Sequence, residues 1–293
     1  LSKKKVFFTI SLVLIAAGVI TIGVNAGRGK GAFAYSLEFQ GGTSTNVTFD
    51  KDYSIDEIDK EIVPVVEKVT GDNNVQTQKV AGTNQVIIKT VTLDLDKREA
   101  LNKAMVDNFG VDESKITAEN ISSTVSNEMR RDAVIAVVIA TICMLLYIWF
   151  RFKDIRFATS AVFALLHDVL VVVGFYAIAR ISVGNTFIAC MLTIVGYSIN
   201  ATIVIFDRIR EEMRGKTKSS DVAAVVNKSI TQTLTRSIYT SLTTFIMVAV
   251  LYVMGVSSIK EFALPLMVGV VCGAYSSVCI TGALWYVMKR FKK

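Results

Sequence analysis

A carboxylate and an imidazole stand side by side in a stretch that is otherwise apolar: His167 and Asp168, between Phe157 and Ala179. Counted from Phe157, Asp168 lies about 17 Å along a helix, near the midplane of a bilayer if the stretch spans one. An ionised carboxylate at that depth must find donors or a counter-charge, or take up a proton. It therefore reads either as a proton-exchanging group or as a static acid that pins helices together. His167, the single histidine of the chain, projects about 100° away around the helix. It can titrate there or sit as a satisfied core residue. Two further segments carry polar groups at similar depth. Thr193, Tyr197, Asn200 and Asp207 recur at a spacing that shares one helix face. Facing a bundle interior, they suit a relay or wetted path, or interhelical hydrogen bonds that act as glue. Asp207 and Arg208 fall at the edge, where charges snorkel to water. In 231–244 hydroxyls are too frequent for a lipid-facing surface, and Arg236, Thr240 and Thr243 share a face. Arginine stays protonated in proteins, so Arg236 can hold an acid ionised or steer a proton but not carry one. With a helix beginning near Thr231 it lies about 8 Å inside; the plainer alternative is an edge anchor.

Positioning these groups takes membrane-length helices. Six apolar stretches (6–24, 133–150, 157–179, 186–206, 237–256 and 262–287) approach or exceed the roughly 20 residues that a crossing needs. Hydrophobic residues make up 52% of the chain and only two prolines occur, which argues against an ordinary soluble domain. The formal charge of +7 is not gathered on one polar face, which argues against nucleic acid as a partner. Basic residues instead flank the apolar stretches, at Lys3–Lys5, 151–156, 208–228 and 289–293, with single ones near Arg180 and Lys260. By the positive-inside rule both termini are cytosolic and the long polar segment is extracytoplasmic. The first stretch is longer than a signal-peptide core, so it reads as an uncleaved anchor. Cys143, Cys190, Cys272 and Cys279 all fall in apolar stretches without metal-like spacing, and no disulfide framework or metal site is expected.

The expected fold is thus a polytopic α-helical membrane protein of six helices, with one α+β domain between the first two. Its plan is helix 1 in 1–25, the outer domain in 26–131, and a five-helix bundle in 132–293 with a cytosolic loop at 207–230. In the outer domain 43–49 alternates as a strand and 54–69 repeats apolar residues at helical spacing, with Ser54 and Glu57 placed as a capping box. Segments 74–80 and 85–91 flank the turn-rich 81–84. A helix over 94–109 stops at Gly110, and 115–122 closes the set. The order β-α-β-β-α-β is that of a split, ferredoxin-like unit.

Five motifs in this order carry a family resemblance: Phe39-Gln-Gly-Gly-Thr43, Glu128-Met-Arg-Arg-Asp-Ala133, Phe150-Arg-Phe-Lys153, His167-Asp-Val169 and the stretch from Gly196 to Glu211. Together they resemble the SecD/SecF family of bacterial protein-export membrane proteins, on its smaller SecF side. The resemblance implies a multi-pass subunit of the bacterial plasma membrane, embedded in its lipids. Such a subunit acts with a SecD-like partner and the SecYEG channel to promote late steps of export of unfolded polypeptide, driven by the proton-motive force. No cofactor or enzymatic activity is implied, and the sequence has no GxxxxGK[ST] phosphate loop. It also implies that Arg236 corresponds to an arginine of the proton path, which Asp168, Asn200, Asp207 and Thr240 are candidates to share. The turn at Gly41, Gly42 and Thr43 is expected to seat the outer domain, its glycines admitting positive φ. Two departures stand out. Ala201 follows Asn200 where the family often has an aspartate held to join the proton path. Ser122-Ser123 replaces a common Gly-Pro pair.

Other function classes compete. A self-contained proton-driven exporter of small molecules could arise from a homo-oligomer of the six-helix unit, since six helices are half of the usual pseudo-symmetric transporter. A passive scaffold would bind without energy coupling. An intramembrane enzyme lacks a constellation: one histidine, no Gly-x-Ser-x-Gly and no paired membrane aspartates with protease-like flanks.

Overall fold

The computed structural model describes residues 1, 4–28, 31–72, 75–80, 82–152, 154–214, 221–255 and 257–290. Lys3, Asn74, Ala81, Lys153, the 215–220 part of the long loop and the 291–293 tail, all used above, lie outside the described residues. In chain order the elements are α1 (Lys4–Gly27), a short α2 (Leu37–Gln40), β1 (Gly42–Thr48) and α3, which runs over 55–70 as Ile55–Glu57, a π-turn Ile58–Ile62 and Val63–Thr70. Next come β2 (Gln76–Lys79), β3 (Gln85–Thr90), α4 (Leu95–Phe109), β4 (Ile116–Ile121), α5 (Ser123–Phe152) and α6 (Ile155–Ala179). The last are α7 (Asn185–Met213), α8 (Val222–Met254) and α9, which covers 257–290 as Ser257–Tyr275, a π-turn Ser276–Thr281 and Gly282–Arg290. They form two compact units: Tyr35–Val134, and Leu1–Ala34 with Ile135–Lys293.

The Tyr35–Val134 unit has the element order read from the sequence. Its four strands form an antiparallel sheet in the order β2-β3-β1-β4. Val47 faces Val86 and Ile116 in the two neighbouring strands, so the pleat turns a continuous apolar row toward the helices. Ile58, Ile62 and Val66 of α3 and Leu101 and Met105 of α4 close over that row. The Ser54–Glu57 capping box is present: Glu57 N–H donates to Ser54 Oγ and Ser54 N–H to Glu57 Oε2. The Lys51 ammonium, 2.9 Å away, and then the Ser54 donors hold the Glu57 carboxyl down to about 2. Gly110 ends α4 in the left-handed conformation, as its position required.

Gly41 and Gly42 do have positive φ, 72° and 118°. Within its own unit this turn aligns the start of β1. Thr43 Oγ1 accepts the Leu93 N–H at 2.8 Å and bonds the Asn120 side chain across the sheet, while a Cβ on Gly42 would strike the Thr90 carbonyl.

In the other unit, the helices α1 and α5 to α9 are the six among the described residues long and apolar enough to cross a membrane. Two backbone approaches organise their packing. Gly18 of α1 faces Gly174 of α6 so closely that a Cβ on either would lie 2.7–2.8 Å from the other's Cα. On α9, a Cβ at Gly269 would strike the Ile194 side chain of α7, and one at Gly273 would meet Ser198 Cβ at 3.3 Å. The G-x-x-x-G of the sixth span is thus a helix contact. Phe157, Phe206 and Trp285 lock α6, α7 and α9 together, with ring centroids 4.8 and 4.9 Å apart. Gly174→Leu is expected to push α1 off α6 and to cost about 1–3 kcal/mol, as overpacking does. Thermal unfolding in detergent checks this, with Gly23→Leu, where a Cβ meets nothing within 4 Å, leaving the midpoint unchanged.

Candidate functional site

The titratable groups singled out in the sequence separate into two places. Asp168 and His167 lie inside the bundle, 1% and 6% exposed. Three elements converge on the carboxylate. Oδ2 accepts the hydroxyls of Ser198 from α7 at 2.5 Å and of Ser276 from α9 at 2.7 Å, and Oδ1 lies 2.9 Å from His167 Nδ1. Ser276 is the first residue of the π-turn in α9, and Gly273 one turn before it lets that helix approach Ser198. The glycine and the wide turn together bring both serines to one oxygen. Ser198 and Ser276 were not singled out in the sequence. The signal for them was available, since each is a hydroxyl inside an apolar run.

The second place is a polar face on α7 and α8. It corrects one expectation: the stripe of α7 does not face the interior of this bundle. Thr193 and Asn200 are exposed, and Tyr197 and Asp207 are half-buried. The buried side of α7 carries Cys190, Met191, Ile194, Ser198, Ile205, Phe206 and Ile209 instead. Periodicity places residues on a common face but does not say which face another helix covers. Arg236, Thr240 and Thr243 of α8 are exposed as well.

Two tethers set the antiparallel register of α7 and α8: Tyr197 Oη donates to Ser241 Oγ at 2.9 Å, and Arg208 Nε to Gln232 Oε1 at 2.7 Å. Arg236 lies between them, within about one helical turn of the level of Ala201. Among the described residues no carboxylate pairs with Arg236, and no hydrogen bond reaches the Asn200 side chain.

Three further expectations change. The α8 helix begins at Val222, capped by Asp221, rather than near Thr231; the hydroxyl-rich turns continue a helix already under way. The depth of Arg236 is better measured from the charge layer of Arg151, Asp207 and Arg208, about one turn away. The hydroxyls themselves do not demand a polar neighbour. Thr240 donates to Arg236 O at 2.8 Å, Thr243 to Tyr239 O and Thr244 to Thr240 O, so each is satisfied within its own helix. Asp207 accepts from Arg151 Nη2 at 2.8 Å. This half-exposed pair joins the end of α5 to α7 and contributes less than about 1 kcal/mol. Asp168, then, is brought together with His167 but not with Arg236, Asn200 or Thr240. Among the described residues no group of His, Cys, Asp and Glu could hold a metal ion.

Residues 101–291 match the family described as protein export membrane protein SecD/SecF, C-terminal. Protein translocase subunit SecF of Sebaldella termitidis is 35% identical over 288 residues, which cover 98% of this chain and 90% of that one. Protein translocase subunit SecDF of Bacillus subtilis is 35% identical over 98% of this chain, which spans 38% of the longer protein. The crystal structure of SecDF, a translocon-associated membrane protein, from Thermus superposes with a TM-score of 0.83 at 30% identity. That match covers 99% of this chain and 39% of the SecDF chain, so this chain corresponds to about two fifths of that structure's length. With motifs, six membrane-length helices and near full-length relatives in agreement, this multi-pass membrane protein belongs to the SecD/SecF family, on its SecF side.

Proposed function

We propose that this chain is the SecF-type subunit of a Sec protein translocase. It works beside a SecD-like bundle in the bacterial plasma membrane, with both termini cytosolic, and uses the proton-motive force to promote late steps of polypeptide export through SecYEG. Its role is one of coupling, without enzymatic turnover. The observation that carries this reading is the open polar face of α7 and α8. Arg236 stands on it, within about one helical turn of the level of Ala201, and pairs with no carboxylate among the described residues. A guanidinium at membrane depth is costly unless it meets an acid or water. The acid that the family often places after Asn200 is replaced here by Ala201, so the SecD-like bundle supplies the carboxylate that Arg236 keeps charged. That such partners exist as one polypeptide in SecDF of Bacillus subtilis supports the pairing.

Co-purification in mild detergent, with a tag on the C-terminal side of Lys293, tests the assignment. A stoichiometric SecD-like protein, with SecYEG components in lower yield, is the expected result. A homo-oligomer recovered alone, under conditions that preserve other Sec contacts, would favour the self-contained exporter instead.

A further inference from the structure

The end of the bundle where α5 turns into α6 gathers more cations than acids. Arg151 lies in the last turn of α5, Arg156 in the first of α6, Arg210 in the last of α7 and Lys289 near the end of α9. Two carboxylates answer them, and each is committed to one arginine. Asp154 accepts from Arg156 Nε on one oxygen and from Nη2 on the other, both at 3.1 Å, and Asp207 accepts from Arg151 Nη2 at 2.8 Å. Glu211 and Glu212 follow Arg210 in sequence but turn to Arg208 and Lys228, at 2.6 to 3.1 Å.

Arg210 and Lys289 are left with neutral partners. Arg210 Nη1 donates to the Arg151 carbonyl at 3.3 Å. Among the described residues the one hydrogen-bond acceptor of Lys289 Nζ is the Met213 thioether, at 4.0 Å, and a thioether accepts weakly. Met213 is one turn on from Arg210 along α7, so the two cations stand about one helical turn apart on that helix. The Lys289 ammonium lies over the Trp285 ring, 4.7 Å from its centroid, and within Coulombic range of the Arg156–Asp154 pair. The Trp285 Nε1–H also has no acceptor among the described residues. Donors and positive charge are in excess here, and what would balance them is an anion. Phosphate oxygens accept charge-assisted bonds from guanidinium and ammonium alike.

The surroundings fix what carries that anion. The four helices that meet here are all of membrane length. Phe150 and Ile155, on the two sides of the turn, are 80% and 71% exposed and offer apolar surface beside the cations. Basic pockets between membrane helices take anionic headgroups in this way. We propose that Arg210 and Lys289, beside the Arg156–Asp154 pair, bind the phosphate of an anionic phospholipid whose acyl chains lie on the exposed sides of α5 and α6. The site rests on the membrane-spanning fold and does not depend on the export reading.

Retained lipid reports on the site. The full chain is purified in neutral detergent, loaded with equal parts of phosphatidylglycerol and phosphatidylcholine and washed, and the lipid that stays bound is identified by native mass spectrometry. Phosphatidylglycerol is expected to be kept in preference to phosphatidylcholine. Lys289→Gln and Arg210→Gln should each lower its retention about fivefold, the effect of one cation at an anionic lipid surface, and Lys289→Arg should keep it. Lys5→Gln removes an exposed cation from the same end of the bundle, where Lys4 lies over the Tyr286 ring of α9, and should change nothing. Equal retention of the two lipids overturns the proposal. So does retention indifferent to both glutamine variants, or lowered as much by Lys5→Gln. Displacement of the lipid by excess inorganic phosphate would make this a site for free phosphate and overturn the lipid assignment. If one glutamine variant does not fold, the other and the wild-type lipid preference still decide.

Discussion

Arg236→Met is expected to abolish proton-driven export while leaving the chain folded and bound to its partner. The side chain is exposed on α8 and holds no carboxylate among the described residues. Methionine keeps an unbranched, helix-compatible side chain, so the stability change stays within about 0.5 kcal/mol, as for surface positions generally. What is lost is a fixed positive charge beside a polar face at membrane depth. If that charge keeps a partner acid ionised between proton uptake and release, removing it eliminates an interaction of well over 1.4 kcal/mol, the equivalent of tenfold in rate. Export into inverted membrane vesicles should therefore fall at least about tenfold, with melting temperature and partner recovery unchanged. Arg236→Lys, which keeps a charge but loses the planar fork, should recover part of the rate. A scaffold without energy coupling would tolerate both substitutions.

Asp168→Ala is expected to act mainly on folding. It withdraws the common hydrogen-bond partner of Ser198, Ser276 and His167 in a buried position, and leaves Ser276 only its 3.3 Å contact with Gly273 O. A buried donor left without its acceptor costs about 1–3 kcal/mol. That is a large share of the stability of a membrane bundle whose helices gain little hydrophobic energy from one another. Thermal unfolding and limited proteolysis of the purified chain should show the loss. Asp168→Asn keeps one acceptor oxygen and should lose markedly less. Equal stability of the wild type and the alanine variant would mean that the three helices do not depend on this carboxylate.

Much of the architecture was legible in the residues because the signals were local. Six apolar runs have membrane length. Ser54 and Glu57 stand three apart at a helix start, Gly110 follows the last periodic residue of α4, and the β-α-β-β-α-β order emerges from alternation and helical spacing. Other features depend on pairs distant in sequence. Gly18 meets Gly174, and Ser198 meets Ser276, only because α1 lies on α6 and α9 on α7. Neither glycine is unusual alone, and each serine stands out only as a hydroxyl inside an apolar run, with nothing to mark its partner. The π-turn that delivers Ser276 leaves no composition signal. Orientation was the other gap: the stripe Thr193, Tyr197, Asn200 and Asp207 shares a face as its spacing implies, yet that face is left open by this chain's own helices. Hydroxyl content in α8 does not by itself fix what its face meets, for a simple reason. A threonine can satisfy itself on the carbonyl one turn back, so it is at home on a lipid-facing surface as well as in a polar interior.

The most direct test of the account is export in proteoliposomes that contain SecYEG, the SecD-like partner and this chain. A precursor is advanced part-way through the channel, the energy source for that step is removed, and a pH gradient is then imposed. Movement of the precursor is expected to resume with the gradient, to stop when a protonophore collapses it, and to fail when this chain is omitted. Equal movement with and without the gradient would contradict proton coupling, and equal movement with and without this chain would contradict its part in export.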